Sequence, residues 1–208
     1  MPKPSLSAES LRIDRGEVPV LDGVTFKLQA GEALLLRGAN GSGKTTLLRC
    51  LAGFVPPAAG SLSRAGIPAI GWCGIAPALK PSETPASDLA FWARRDGRAD
   101  ARAVVRSALA HFGVARLANR PARLLSAGQK QRINLARLSV MDRRLWLMDE
   151  PASYLDDAGT DRLRETVANH LECGGLAVIA THQDLGLGGR ARTLRLVTPE
   201  TAPPGAAA

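Results

Sequence analysis

The sequence predicts an α/β fold built around one mostly parallel sheet. A glycine-rich stretch, Gly38-Ala39-Asn40-Gly41-Ser42-Gly43-Lys44-Thr45, lies between an apolar run (Ala33 to Leu36) and a helix-like stretch (Thr46 to Ala52). In the last third, the apolar strand Leu145 to Met148, a helix from Asp156 to Leu171 and the strand Leu176 to Ala180 follow one another. Such βαβ order implies parallel pairing. Between these regions Leu89, Phe91, Trp92, Val104, Val105, Ala108, Leu109 and Phe112 recur at mixed three- and four-residue spacings, which marks a helical insertion.

From the amino terminus, Leu11 to Leu28 reads as short strands around the turn-like Asp14-Arg15-Gly16-Glu17, followed by Gly31 and the strand Ala33 to Leu36. The helical insertion is expected over roughly residues 80–140, inside a single domain covering 1–198. A length of 208 residues suits one well-buried α/β core with a subdomain and is short for two nucleotide-binding domains. The Pro/Ala/Gly-rich stretch 199–208 cannot bury enough apolar area to order itself and is expected to fray.

Composition narrows the classes of function. No stretch approaches the about 18 apolar residues of a membrane span, and Met1-Pro2-Lys3-Pro4-Ser5 has no apolar secretory core behind it, so a cytosolic chain is expected. Cys50, Cys73 and Cys173 are scattered, form no CxxC pair, and read as small packing residues of a reducing compartment. The formal charge of +8 and the pI near 10.2 favour an anionic partner: nucleotide, nucleic acid or an anionic membrane face. Arg94, Arg95, Arg98, Arg102 and Arg106 supply much of that charge and read first as a solvated helix face. With 4% aromatic residues there is little material for a base-stacking platform.

The chemistry begins at the glycine-rich loop. Such a loop turns backbone N–H groups inward around a β-phosphate, Lys44 reaches the β/γ oxygens, and the Thr45 hydroxyl ligates Mg²⁺. The following helix adds its N-terminal dipole. Leu145-Trp146-Leu147-Met148-Asp149-Glu150-Pro151 is an apolar strand ending in two carboxylates. The strand tip carries Asp149 towards the cation at Thr45, while Glu150, one residue on, can accept a proton from, or orient, a water attacking a γ-phosphate. Ser126, in Leu125-Ser126-Ala127-Gly128-Gln129, can N-cap the periodic stretch Gln131 to Val140. His182 follows the strand Leu176 to Ala180 and Thr181, so it emerges at the same carboxyl edge as Asp149. His111 and His170 have no such setting and read as surface or packing residues.

In this order the motifs resemble those of the ATP-binding cassette ATPases: Walker A at 38–45, an LSGGQ-like signature at 125–129, Walker B at 145–150, a D-loop around Ser153-Tyr154-Leu155-Asp156, and a switch histidine at His182. The resemblance implies a P-loop fold with a mostly parallel core sheet, an antiparallel β subdomain and a helical subdomain bearing the signature. It further implies ATP and Mg²⁺ as cofactors and a head-to-tail dimer with a second such subunit. ATP would be sandwiched between the Walker residues, Thr46 included, and the partner's signature, equivalent to Ser126, Gly128 and Gln129 here. Physically, a hydroxyl-capped helix start is an anion site, so ATP would act as dimer glue.

Two positions depart from the family pattern. Where an aromatic ring usually stacks on adenine, the aligned residue is Arg15, whose guanidinium plane can stack on a base or simply face solvent. At the Q-loop, Trp72-Cys73-Gly74-Ile75-Ala76-Pro77 aligns with Ile75, which offers neither a metal ligand nor a hold on water.

Several strings, namely Leu125-Ser126-Ala127-Gly128-Gln129, Leu135-Ala136-Arg137-Leu138, Leu145-Trp146, Asp88-Leu89-Ala90-Phe91-Trp92-Ala93 and Thr181-His182-Gln183-Asp184-Leu185, are similar to the CcmA subfamily of heme exporter ATPases in cytochrome c biogenesis. That resemblance implies a peripheral ATPase at the cytoplasmic face of the bacterial inner membrane, reaching it through a multi-span partner of the CcmB type. No nucleic acid is expected as a partner. Direct heme binding is not expected either, because the chain has no Cys-x-x-Cys-His and no histidine set for axial ligation. The alternatives are the ATPase of another small exporter and a non-transport cassette ATPase. The span of about 80 residues between Lys44 and Ser126 is too short for a long coiled-coil insertion.

Overall fold

Period-two alternation along the central strands decides how the layers stack. The computed structural model describes residues 3–16 and 18–197, so the expected frayed stretch 199–208 lies outside the described residues. In chain order the elements are β1 (Ser5–Arg15), β2 (Val18–Gln29), β3 (Ala33–Arg37), α1 (Lys44–Ala52), β4 (Ala59–Ala65), β5 (Ile70–Cys73), α2 (Pro85–Arg95), α3 (Ala101–His111), α4 (Ala127–Val140), β6 (Leu145–Asp149), α5 (Asp157–Glu172), β7 (Leu176–Ala180) and β8 (Ala191–Arg195). β2, β1 and β4 form an antiparallel sheet; β5, β6, β7, β3 and β8, in that spatial order, form a parallel one.

Because side chains alternate along a strand, Leu34, Leu36, Leu145, Leu147, Leu176 and Val178 face one way. They pack against α1, through Leu47, Leu48 and Leu51, and against the antiparallel sheet, through Leu6, Leu11 and Ile13. Ala33, Leu35, Trp146, Met148, Ala177 and Ile179 face the other way and meet the helices, through Leu89, Leu109, Phe112, Ile133 and Leu163. Burial on both faces explains why β6 and β7 read as unbroken apolar runs.

α2, α3 and α4 pack together within the stretch expected to be helical. α2 starts with Thr84 as its cap, accepting from Ser87 N at 3.3 Å, and Pro85 in its first turn. Arg137 of α4 donates to Asp88 Oδ2 of α2 at 2.9 Å and to Ala78 O at 3.0 Å, a nearly buried pair that locks the two helices. Asp96 likewise receives Arg143.

β4, β5 and β8 were not anticipated from sequence. β4 and β8 are largely exposed and carry no apolar alternation, and β5 is only four residues long. Cys50 and Cys73 are buried, but Cys173 is exposed, contrary to its reading as a packing residue. It caps the carboxyl end of α5, two residues past the last inward-facing position, Leu171. No helix among the described residues is long and apolar enough to cross a membrane.

Candidate functional site

The sheet order brings the carboxyl ends of β6, β7 and β3 side by side, and the register sets Asp149, Ala180 and Leu36 level across them. The glycine-rich loop, the two carboxylates and His182 therefore leave the sheet at one edge, where ligands of open α/β sheets bind.

The loop from Gly38 to Gly43 runs straight into α1, which begins at Lys44, two residues earlier than the sequence indicated. Gly43 takes φ 89°, and a Cβ there would stand 2.8 Å from the Leu21 side chain. A larger residue there would force the Leu21 side chain or the loop to shift. Ala39, Asn40 and Gly41 are exposed at the loop's outer rim. Lys44 is buried and folds its ammonium back over the loop, donating to Gly38 O at 2.8 Å and Ala39 O at 3.0 Å. Ser42 Oγ is buried without a partner among the described residues. An orphaned hydroxyl in a glycine-rich loop that leads into a helix N-terminus fits an anionic oxygen.

Thr45 Oγ1 donates to Asp149 Oδ2 at 2.7 Å. A hydroxyl and a nearly buried carboxylate at this distance form a hard-oxygen pair suited to Mg²⁺. Thr46, in the first turn of α1, is partly buried. Glu150 sits just beyond the strand tip with φ 47°, an uncommon conformation for a side chain of its kind, and its N–H donates to Ala180 O at 2.8 Å. Its Oε1 lies 3.5 Å from Nε2 of the exposed His182. Glu150 and His182 thus face each other across the ends of β6 and β7, next to the Thr45–Asp149 pair.

Ser126, Gly128 and Gln129 are not brought to Lys44 by this chain. Ser126 caps α4 and is locked in a reciprocal pair: Gln129 N donates to Ser126 Oγ at 3.3 Å, and Ser126 N to Gln129 Oε1 at 3.0 Å. The close contact of Gly128 is with Tyr154, whose carbonyl would be 2.7 Å from a Cβ at that position. Arg132 of α4 donates to Asp156 Oδ1 at 2.5 Å and to Phe112 O at 3.0 Å. Asp156 also caps α5 through Gly159 N, a bond that, with the nearby Arg132, holds its carboxyl below the usual range.

The ABC transporter family matches residues 21–153. The cytochrome c biogenesis ATP-binding export protein CcmA of Ruegeria pomeroyi is 47% identical over 183 residues, covering 88% of this chain and 87% of its own. The protein of the same name from Rhodobacter capsulatus is 45% identical over 199 residues, covering 96% and 90%. The chain belongs to the ABC transporter family. Within it, the chain groups with the CcmA proteins, as an ATP-binding subunit with the family's ATPase motifs. A solved ATP-binding subunit of an ABC transporter, 23% identical, shares the fold at a TM-score of 0.81, over 92% of this chain and 87% of that one.

Against this ABC ATPase frame, Arg15 is exposed at the end of β1, paired with Val18. Leu21, further along β2, touches Gly43 of Walker A, so the β1–β2 end lies on the phosphate loop's flank. Ile75 follows β5, whose neighbour is the Walker B strand β6, and is 49% exposed. Sequence reasoning missed Gln131, a buried residue that donates to Pro151 O at 2.8 Å and so ties α4 to the Walker B turn. The available signal was Gln131 with Asn134, two polar residues one turn apart on the inner face of α4; Asn134 donates to Cys73 Sγ at 3.1 Å.

Proposed function

We propose that this chain is the ATP-hydrolysing subunit of an ABC exporter serving cytochrome c biogenesis, energising heme export or heme-chaperone release. The observation that carries the hydrolytic reading is the Glu150–His182 approach at 3.5 Å beside the Thr45–Asp149 pair. The similarity to CcmA proteins over most of the chain supports the cytochrome c setting.

In this reading residues 38–46 hold the triphosphate: backbone N–H groups of the loop and the α1 N-terminus face the phosphates, and Lys44 exchanges its two carbonyl partners for phosphate oxygens. Thr45 and Asp149 would hold Mg²⁺, which would supply neutralisation of the phosphate charge. Glu150 accepts the proton of the attacking water, and His182 holds that water and the γ-phosphate in line. Arg15 stacks on the base through its guanidinium plane.

Ser126, Gly128 and Gln129 act on the ATP of a second copy, so the working unit is a head-to-tail homodimer. The dimer docks, at the cytoplasmic face of the bacterial inner membrane, on a multi-span subunit of the CcmB type. Neither heme nor nucleic acid is bound by this chain. The test is ATP hydrolysis by the chain copurified with its membrane partner: Lys44→Ala is expected to abolish nucleotide binding and turnover together. Unchanged turnover in that variant would reject the site.

A further inference from the structure

Arg37 is the last residue of β3 and immediately precedes the phosphate loop. Its guanidinium spans the turn that carries His182: Nη1 donates to Thr181 O and Nη2 to Gln183 O, both at 2.6 Å. The two acceptors flank His182 in the chain. Otherwise the turn is held by a long bond from Thr181 N to Leu36 O, at 3.4 Å, and by the internal bond from Gln183 N to Thr181 Oγ1, at 3.1 Å. The imidazole itself is 56% exposed and has Glu150 as its near polar neighbour. Arg37 forms no ion pair with an acid among the described residues.

We propose that Arg37 is a positioning residue for His182. It clamps the backbone on both sides of the histidine, fixes the direction in which the ring leaves the sheet, and ties that direction to the strand feeding the phosphate loop. The planar guanidinium suits the task because two of its N–H groups reach separate carbonyls in fixed geometry. A lysine ammonium has no such rigid fork. The proposal rests on the reading of His182 as a hydrolytic residue, and its test separates the two.

ATPase rates are measured in the membrane complex for wild type, Arg37→Gln, His182→Ala and the double variant, with nucleotide affinity followed by a fluorescent ATP analogue. Arg37→Gln is expected to lower kcat by about tenfold, since small misplacements of a reacting group are costly, and to leave affinity within about twofold. In the His182→Ala background it is expected to cost nothing more, because it acts through the missing ring. The same fold-loss in both backgrounds would overturn the proposal.

The chain has three histidines, so imidazole NMR signals are few, and His182→Ala assigns the relevant one. Arg37→Gln should move or broaden the His182 signal while His111 and His170 stay in place. If His182→Ala hydrolyses ATP normally, the catalytic reading of His182 falls while the NMR arm still decides the clamp: an unmoved His182 signal refutes it. Arg37→Lys, which keeps the charge without the fork, guards against loss of fold and should give intermediate values in both measurements; wild-type values in both would overturn the proposal.

Discussion

Acid sensitivity of the fold should be concentrated at one histidine remote from the nucleotide edge. His170, on α5, lies flat against the Trp146 indole, with ring centroids 3.8 Å apart and planes 6° from parallel, and its Nε2 is 3.1 Å from Leu176 O. Burial pushes its pKa from 6.5 down to about 4; the Arg144 charge adds to the drop, and hydrogen bonds to the Leu176 and Arg144 backbone oppose it. The ring is therefore neutral in the folded chain at pH values where the unfolded chain protonates it. At and above about pH 7 the group costs no stability, and as pH falls from 6.5 towards 4 stability is progressively lost.

The linkage amounts to about 2 kcal/mol at pH 5 and about 3 kcal/mol by pH 4. His170→Phe keeps a flat ring for the stack and removes the titration. Urea unfolding, followed by fluorescence of the three tryptophans, should show the wild type losing about 2 kcal/mol relative to this variant between pH 7 and pH 5. Carboxylates such as Asp156 titrate in both proteins and cancel in the difference. A wild-type-minus-variant difference that is the same at both pH values would refute the reasoning.

Thr45→Ala removes the hydroxyl of the oxygen pair with Asp149 and should raise the Mg²⁺ concentration needed for half-maximal hydrolysis by about tenfold or more. A magnesium titration of the ATPase rate checks this. Ser126→Ala should cost about 1 kcal/mol of stability through loss of the α4 cap. It should leave ATP binding by the isolated chain unchanged and weaken ATP-driven dimerisation, which thermal unfolding, nucleotide titration and light scattering read separately.

The parts of the candidate site were legible because each is encoded locally: a loop between strand and helix, carboxylates at a strand tip, a histidine just past another strand. Strand order then brings together what sequence leaves apart, as with Thr45 and Asp149. What stayed hidden depends on contacts across the chain. Arg37 looks like any arginine ending a strand until the β3–β7 pairing lays it beside Thr181 and Gln183. Gln131 reads as the polar side of a helix, yet α4 is buried on nearly all sides, so its amide must find an acceptor and does so at Pro151. β4 forms by pairing with β1 although it has almost no buried side chain, which leaves no apolar pattern to read. The helical subdomain was seen as one periodic stretch, whereas Gly97, with φ 78°, breaks it between α2 and α3.

Glu150→Gln, in a preparation supplied with ATP and Mg²⁺, tests the central claim most directly. Light scattering and single-turnover hydrolysis should show a variant that binds ATP, hydrolyses it about a hundredfold or more slowly, and accumulates as a closed dimer. Turnover at the wild-type rate, or ATP binding that leaves the variant monomeric, would contradict a composite ATP site with Glu150 as its base.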